Sequence, residues 1–282
     1  MSMKIFFYDV EHGSCCHIIT PNNKHILVDI GSKSGKSIVD HIKRKYFSNN
    51  GGTVDELIIT HPHEDHIYDL PNLYKKLKPI ALKRDREAFD IYPAQNTALH
   101  KEIADYANEM NKVYNQPISD DCVPTCEDIN GGVKFDFIEP KSEWTTKKDL
   151  NTFSSIIVVE YRGYKFVLTG DNPKNILQKM IDLNHKNIKE KIKNATILLA
   201  PHHGRKEEFC QEFFSCVSPL ITVVSDEFII YSTQEETSRL YAGRGAEIEG
   251  RMRYVLTTRS DGTIEFEIKD NTCFVNLGKE DY

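Results

Sequence analysis

The stretch that most constrains this chain is His61-Pro62-His63-Glu64-Asp65-His66, which follows directly on the apolar run VDELIIT. It places four candidate metal ligands within six residues, at the end of a predicted strand. Imidazole nitrogens with a carboxylate suit zinc, and also manganese or iron. In an extended segment His61 and His63 share a face, because alternate side chains point the same way. Asp65 and His66 come after the chain turns, so they can serve a second metal beside the first. A polar helix start with Asp65 near its cap is the plainer alternative. Yet only 11 of 282 residues are histidine, and three of them fall here. A strand that delivers such a cluster needs a scaffold that brings further ligands from distant segments.

The remaining pattern supplies one. KIFFYDV, CCHIIT and HILVDI read as an antiparallel meander, with Pro21-Asn22-Asn23 as a turn. SIVDHIKRKYF has apolar residues at helical spacing (Ile38, Val39, Ile42, Tyr46), and Asn49-Asn50-Gly51-Gly52 closes it. Residues 67–80 are predicted as a helix ending before Pro79. From about 83 to 130 the chain turns polar and helical, with KEIADYANEMNKVY its clearest amphipathic piece. GVKFDFIEP is a strand, and SSIIVVEYRGYKFVLTGD is a hairpin turning at Arg162-Gly163. A helix around NILQKMIDL, a lysine-rich helix face, and the buried strands ATILLA and PLITVVSD follow. RYVLTTRSDGTIEFEIKD is predicted as a hairpin turning at Asp261-Gly262. Meander, helix and strands, then that order again, imply an α/β (α+β) fold with two sheets face to face and helices outside. The expectation is one domain over residues 1–282, with a polar helical insertion at about 83–130.

Composition narrows the setting. No stretch approaches the roughly 18 to 20 apolar residues needed to cross a bilayer. MSMKIFFYDV reads as a first strand rather than a secretory signal. Seven cysteines, an odd number without framework spacing, predict free thiols and a cytoplasmic protein. Cys122 and Cys126 read as two loop thiols, and Cys15 and Cys16 as neighbours on opposite faces of a strand. The net charge of −6, from 36 basic and 42 acidic side chains, argues against a surface that coats nucleic acid everywhere. A local basic groove stays open.

The H-x-H-x-D-H cluster resembles the signature of the metallo-β-lactamase superfamily. Other segments are similar to that family's motifs in the right order: Asp29 in LVDIG, Asp171 in FVLTGD, and His202-His203-Gly204 in LLAPHHG. The resemblance implies a four-layer αββα sandwich with two mixed sheets. It also implies two divalent ions, zinc in the first instance, with manganese or iron as alternatives. His61, His63, Asp65, His66, Asp171 and His203 would be their ligands, Asp171 bridging them and Asp29 supporting them. Neighbouring strand residues point opposite ways, so His202 and His203 can both bind one metal only if the loop bends. The P-G-H-G pattern of related lactamases aligns its histidine with His203, and the resemblance therefore implies His203 as ligand and His202 as a group facing or supporting substrate.

The wording FFYDV…HG, ILVDIG, THPHEDHI, NTFSSIIV, FVLTGD and APHHG further resembles the hydrolase domain of the ComEC/Rec2 competence family, over about residues 3–205. That group carries N-x-x-S where lactamases have a histidine, and Asn151 and Ser154 match it. Asn151 is then a poor metal ligand or a hydrogen-bond partner of substrate. The family's opening turn, V-G-Q-G-D-S, is replaced here by Val10-Glu11-His12-Gly13-Ser14-Cys15, without the aspartate. The implied activity is phosphodiester hydrolysis by a metal-bridged hydroxide, with nucleic acid as the leading substrate. Asp65 would orient the nucleophile and His202 pass a proton to the leaving group. Arg205 and Lys206 are candidates to meet an anionic substrate. Two other classes stay open: hydrolysis of a lactone, thioester or β-lactam, and a metal-binding module that acts through partners. A flavodiiron role is disfavoured, because those proteins resemble H-x-E-x-D-H and His63 holds the glutamate position.

Overall fold

Strands buried on both faces need a partner on each side, and this chain builds three large cores to meet that need. The structure, a computed structural model, describes residues 1–33, 35–47, 52–95, 100–119, 122–227 and 233–278, without the side chains of 233–236. Ser34 and the expected Asn49-Asn50-Gly51 turn lie outside the described residues.

In chain order the strands are β1 (Met3–Phe7), β2 (Cys16–Ile19), β3 (His25–Val28), β4 (Glu56–Ile58), β5 (Ala81–Lys83), β6 (Lys134–Ile138), β7 (Ile156–Tyr161) and β8 (Tyr164–Leu168). There follow β9 (Ile197–Leu199), β10 (Ile221–Val224), β11 (Ala246–Ile248), β12 (Arg251–Arg253), β13 (Val255–Thr257), β14 (Thr263–Lys269) and β15 (Thr272–Gly278). The helices are α1 (Ile38–Tyr46), α2 (Glu64–Ile67), α3 (Leu70–Lys76), α4 (Arg86–Gln95), α5 (Lys101–Val113), α6 (Lys174–Asp182), α7 (Ile188–Ile192), α8 (Gln211–Val217), α9 (Thr233–Leu240) and α10 (Thr258–Asp261).

One sheet has the order β15-β14-β1-β2-β3-β4-β5, antiparallel as far as β3 and parallel from β3 to β5. The other runs β13-β10-β9-β8-β7-β6, parallel from β13 to β8 and antiparallel beyond. Both sheets are therefore mixed. β11 and β12 form a separate ribbon.

The alternation of side chains decides the layering. Ile26, Val28 and Ile58 point into the core between the sheets, where they meet Ile157, Val159, Phe166, Leu168 and Ile197. Leu27 and Leu57 point the other way, onto Ile38, Val39 and Ile42 of α1, Leu73 of α3, Phe89 of α4 and Ala107 of α5. Val158, Val167 and Leu198 face Ile176 and Leu177 of α6, Ile192 of α7 and Phe213 of α8. The result is the expected order of helices, sheet, sheet, helices. Phe166 and Phe266 meet edge to face at 5.7 Å in the middle core and tie the two sheets together. Cys15 joins the helix-side core and Cys16 the core between sheets, on opposite faces as expected. No disulfide links the seven cysteines. The polar segment at 83–130 holds α4 and α5, whose Phe89, Tyr92, Ile103 and Met110 complete the first core.

Two expectations are corrected. The helix expected over 67–80 is the shorter α3, which ends before Pro79 as expected but starts only after Asp69, whose carboxylate accepts from Ser37 Oγ at 2.7 Å and Val39 N at 2.8 Å; the one-turn α2 precedes it. RYVLTTRSDGTIEFEIKD is not a hairpin, because β13 belongs to the second sheet and β14 to the first. Asp261 and Gly262 instead close α10, with Gly262 at φ 69° as its cap. The hairpin partner of β14 is β15, and its turn is Asp270-Asn271, at φ 50° and 59°. Among the described residues, no helix is long and apolar enough to cross a membrane.

Candidate metal centre

The parallel strands of both sheets deliver their C-terminal ends to one place. β3 runs into Asp29, β4 into Thr60 and His61, β8 into Asp171, β9 into His202 and His203, and β10 into Ser225. Ligand groups gathered at such strand ends are held by a rigid scaffold on both sides.

Asp65, His66, Asp171 and His203 each place one ligand atom within 4.8 Å of the others. His203 Nε2 is 3.2 Å from Asp65 Oδ2 and 3.5 Å from Asp171 Oδ2. His66 Nε2 is 3.1 Å from Asp171 Oδ1, yet it is buried and makes no aligned hydrogen bond. His61 adjoins the group, with ring centres 4.2 Å from His66 and 4.7 Å from His63. His61 Nε2 and His63 Nδ1 lie 3.1 Å apart, so the two alternate histidines do share a face.

The chain fixes how these rings are turned. Asp29 Oδ2 accepts from His66 Nδ1 at 2.7 Å, and Asp29 also accepts from Thr60 N and Thr60 Oγ1. His203 Nδ1 donates to Ser225 O at 2.8 Å. Both imidazoles thereby present Nε2 to the cluster. His202 and His203 adopt left-handed backbone, at φ 49° and 54°, which bends the loop so that adjacent rings both turn toward Asp171. Such a conformation costs of order 1–3 kcal/mol per residue and persists where the surroundings enforce it. His202 N donates to Gly170 O at 3.2 Å, one of those constraints.

Asp65 is held by close backbone packing. Ser14 N donates to Asp65 O at 3.1 Å. A Cβ on Gly31 would stand 2.2 Å from that oxygen, and one on Gly13 2.5 Å, so the loop after β1 and the loop after β3 press directly on the cluster.

Burial disfavours the charged forms of these groups, and at His66, His203 and Asp171 the neighbours push back harder. The His66 imidazolium is disfavoured by burial, but Asp171, Asp29 and Asp65 hold it well above its ordinary range. His203 is likewise pushed up to about 10 by Asp171 and Asp65 against its burial. Burial raises the Asp171 carboxyl, and His66 and His203 overcome this to hold it well below the usual range. His61, buried beside His66, is held well below its usual value. This centre demands positive charge. The donor set, imidazole nitrogens and carboxylate oxygens with the buried His66 Nε2 facing Asp171, fits divalent cations.

The cluster opens into a cleft of about 710 Å³ lined by His63, Asp65, Asp171, Asn151, His202 and Arg205, together with Val10, Glu11, His12, Ser32, Glu64, Tyr68 and Glu227. Asn151 Oδ1 is buried without a partner. Ser154 does not line the cleft. Its Oγ accepts from Asp171 N at 3.2 Å and its carbonyl from Asn172 Nδ2 at 2.8 Å, so it anchors the Asp171 loop. Lys206 starts a short 3-10 turn and is not among the lining residues, unlike Arg205. Sequence reasoning missed His12, whose Nε2 is 3.5 Å from Asp65 Oδ2 and whose ring lies 4.7 Å from that of His203. The replaced turn at 10–15 was its one signal.

The model of the metallo-β-lactamase superfamily matches residues 11–97. No curated protein matches the chain in sequence. Among solved structures, Igni18, a metallo hydrolase from the hyperthermophilic archaeon Ignicoccus hospitalis, is 14% identical. The similarity covers 95% of this chain and 100% of that one, with a TM-score of 0.53. The metallo-β-lactamase fold protein YhfI from Bacillus subtilis is 12% identical over 93% of this chain and 98% of its own, with a TM-score of 0.49. With its two mixed sheets between helix layers and an Asp/His cluster at their shared strand ends, the chain has the metallo-β-lactamase fold.

Proposed function

We propose that this protein is a metal-dependent hydrolase acting on phosphodiesters. The observation that carries the reading is the Asp65, His66, Asp171, His203 cluster, with His61 and His63 beside it, at the floor of an open cleft. His61, His63 and Asp171 would hold one divalent ion, and Asp65, His66, Asp171 and His203 a second. Zinc is the first candidate for both, with manganese or iron as alternatives. Such ions supply Lewis-acid polarisation of the ester and activation of a water.

The chain's own residues do the positioning. Asp29 and the Ser225 carbonyl keep protons on the Nδ1 atoms of His66 and His203, so each Nε2 stays free for a ligand. Asp65, pinned through its carbonyl to Ser14 N, orients the attacking group. His202 lines the cleft, with Nε2 3.7 Å from Asp171 Oδ2 and Nδ1 3.8 Å from Glu208 Oε1. In this reading it passes a proton to the departing alcohol. The unpartnered Asn151 Oδ1 accepts a donor from substrate or lends a hard oxygen to the centre. Arg205 meets the anionic ester. The N-x-x-S pattern at Asn151 and Ser154, where lactamases carry a histidine, favours a diester over a lactam.

The test is turnover of bis-p-nitrophenyl phosphate against a lactone and a thioester, using protein loaded with zinc or manganese. Diester hydrolysis that disappears in His66→Ala is the expected result. Turnover of the acyl substrates alone would overturn the reading.

A further inference from the structure

The charge around the cleft bears on which phosphate esters reach its floor. Among the described residues, five carboxylates line it (Glu11, Glu64, Asp65, Asp171 and Glu227), against Arg205 as the one permanent cation. Asp65 and Asp171 belong to the cluster and would face the divalent ions it holds. Glu64 is paired with His100, at 2.8 Å. Glu11 and Glu227 have no ion pair with a described residue. The backbone at each position is set by its neighbours. Glu11 sits at φ 61° in the turn that Gly13 and Ser14 press against Asp65, and its N–H donates to Asp9 Oδ1. Glu227 follows Asp226, whose carboxylate takes Arg259 at 2.9 Å and whose N–H donates to Thr258 Oγ1.

A diester with a single phosphate brings one negative charge, which the metal centre attracts. A nucleic acid strand brings further phosphates every few ångströms, about 3.4 Å apart along a duplex axis. A cleft of about 710 Å³ cannot enclose them all, so the flanking phosphates must pass its walls. There they meet Glu11 and Glu227, which have no ion pair with a described residue, and Arg205 as the lining arginine among the described residues. An acidic entrance lowers the local concentration of a polyanion and leaves a neutral or cationic group unopposed.

Resting on the phosphodiesterase reading above, we propose that the site selects compact diesters with a single phosphate and a neutral or cationic alcohol, and that Glu11 and Glu227 impose this choice by repelling a second phosphate. The selectivity resides in these two side chains, not in the cluster below them.

The experiment uses the full chain loaded with zinc or manganese. Turnover of p-nitrophenyl phosphorylcholine and bis-p-nitrophenyl phosphate is measured beside fluorescence anisotropy of a short labelled single-stranded oligodeoxynucleotide. The wild type should turn over both small diesters, the zwitterionic choline ester at least as well as the monoanionic bis-p-nitrophenyl phosphate. It should leave the oligonucleotide unbound in the micromolar range. The double variant Glu11→Lys/Glu227→Lys should tighten oligonucleotide binding by roughly tenfold or more and lower kcat/KM for the choline ester. Glu11→Gln/Glu227→Gln, a gentler change of charge, should move both readings the same way by less. Wild-type protein that binds and cuts the oligonucleotide as readily as the small diesters would overturn the inference and leave the phosphodiesterase reading standing. Variants that fold but leave oligonucleotide affinity unchanged would overturn it too. Metal-loaded protein that turns over no diester would remove the phosphodiesterase reading, and with it the inference.

Discussion

His66 Nδ1 donates to Asp29 Oδ2 at 2.7 Å, and both side chains are 1% exposed. This bond joins the end of β3 to the cluster that follows β4, 37 residues later. It sets which nitrogen of His66 faces Asp171. The same carboxylate takes both the N–H and the hydroxyl of Thr60, so one aspartate braces the segment that carries His61 to His66.

Asp29→Asn keeps the shape but weakens that brace. Metal affinity should fall by about 10- to 100-fold while the far-ultraviolet dichroism is unchanged. Chelator competition measures it. Unaltered affinity would mean that Asp29 does no more than hold the fold.

Gly31 abuts the Asp65 carbonyl, where a Cβ would stand 2.2 Å from the oxygen and 2.9 Å from Ser14 N. Both obstacles are backbone and cannot swing aside. Gly31→Ala should cost about 2 kcal/mol or more in urea unfolding and should weaken metal binding through displacement of Asp65. A silent substitution would show that the contact is looser than described.

Glu56 is 2% exposed at the start of β4, and its Oε2 accepts from Thr125 N at 3.1 Å. Burial pushes its carboxyl up to about 7, only partly offset by Thr125 and Lys83. A carboxyl raised on folding stabilises below its unfolded value, and that contribution is lost as pH rises through about 4.5 to 7. Glu56→Gln should therefore gain about 1–3 kcal/mol over wild type near pH 8 and little near pH 4. Thermal melts at the two pH values separate the cases, and an equal effect at both would contradict the sign.

Much of this layout was legible because the signals were local. His61 to His66 are contiguous, and the alternation in SSIIVVEY and KFVL marks which residues face each core. Asp29, Asp171 and His203 were reachable through motif order. What escaped depends on distant partners. Asp261-Gly262 is as good a helix end as a hairpin turn, and only the pairing of β13 with β10 and β14 with β1 decides between them. His12 has no ligand-like spacing, and it reaches Asp65 only because Ser14 pins that turn to the cluster. The way both His202 and His203 turn inward rests on left-handed backbone that non-glycine residues seldom adopt.

The central claim is that Asp65, His66, Asp171 and His203, with His61 and His63, hold divalent metal. Elemental analysis of protein purified without chelator, with Asp171→Ala beside it, tests this most directly. About two ions per chain in the wild type, and a clear loss in the variant, are the predicted result. Near-zero metal in well-folded wild-type protein would contradict it.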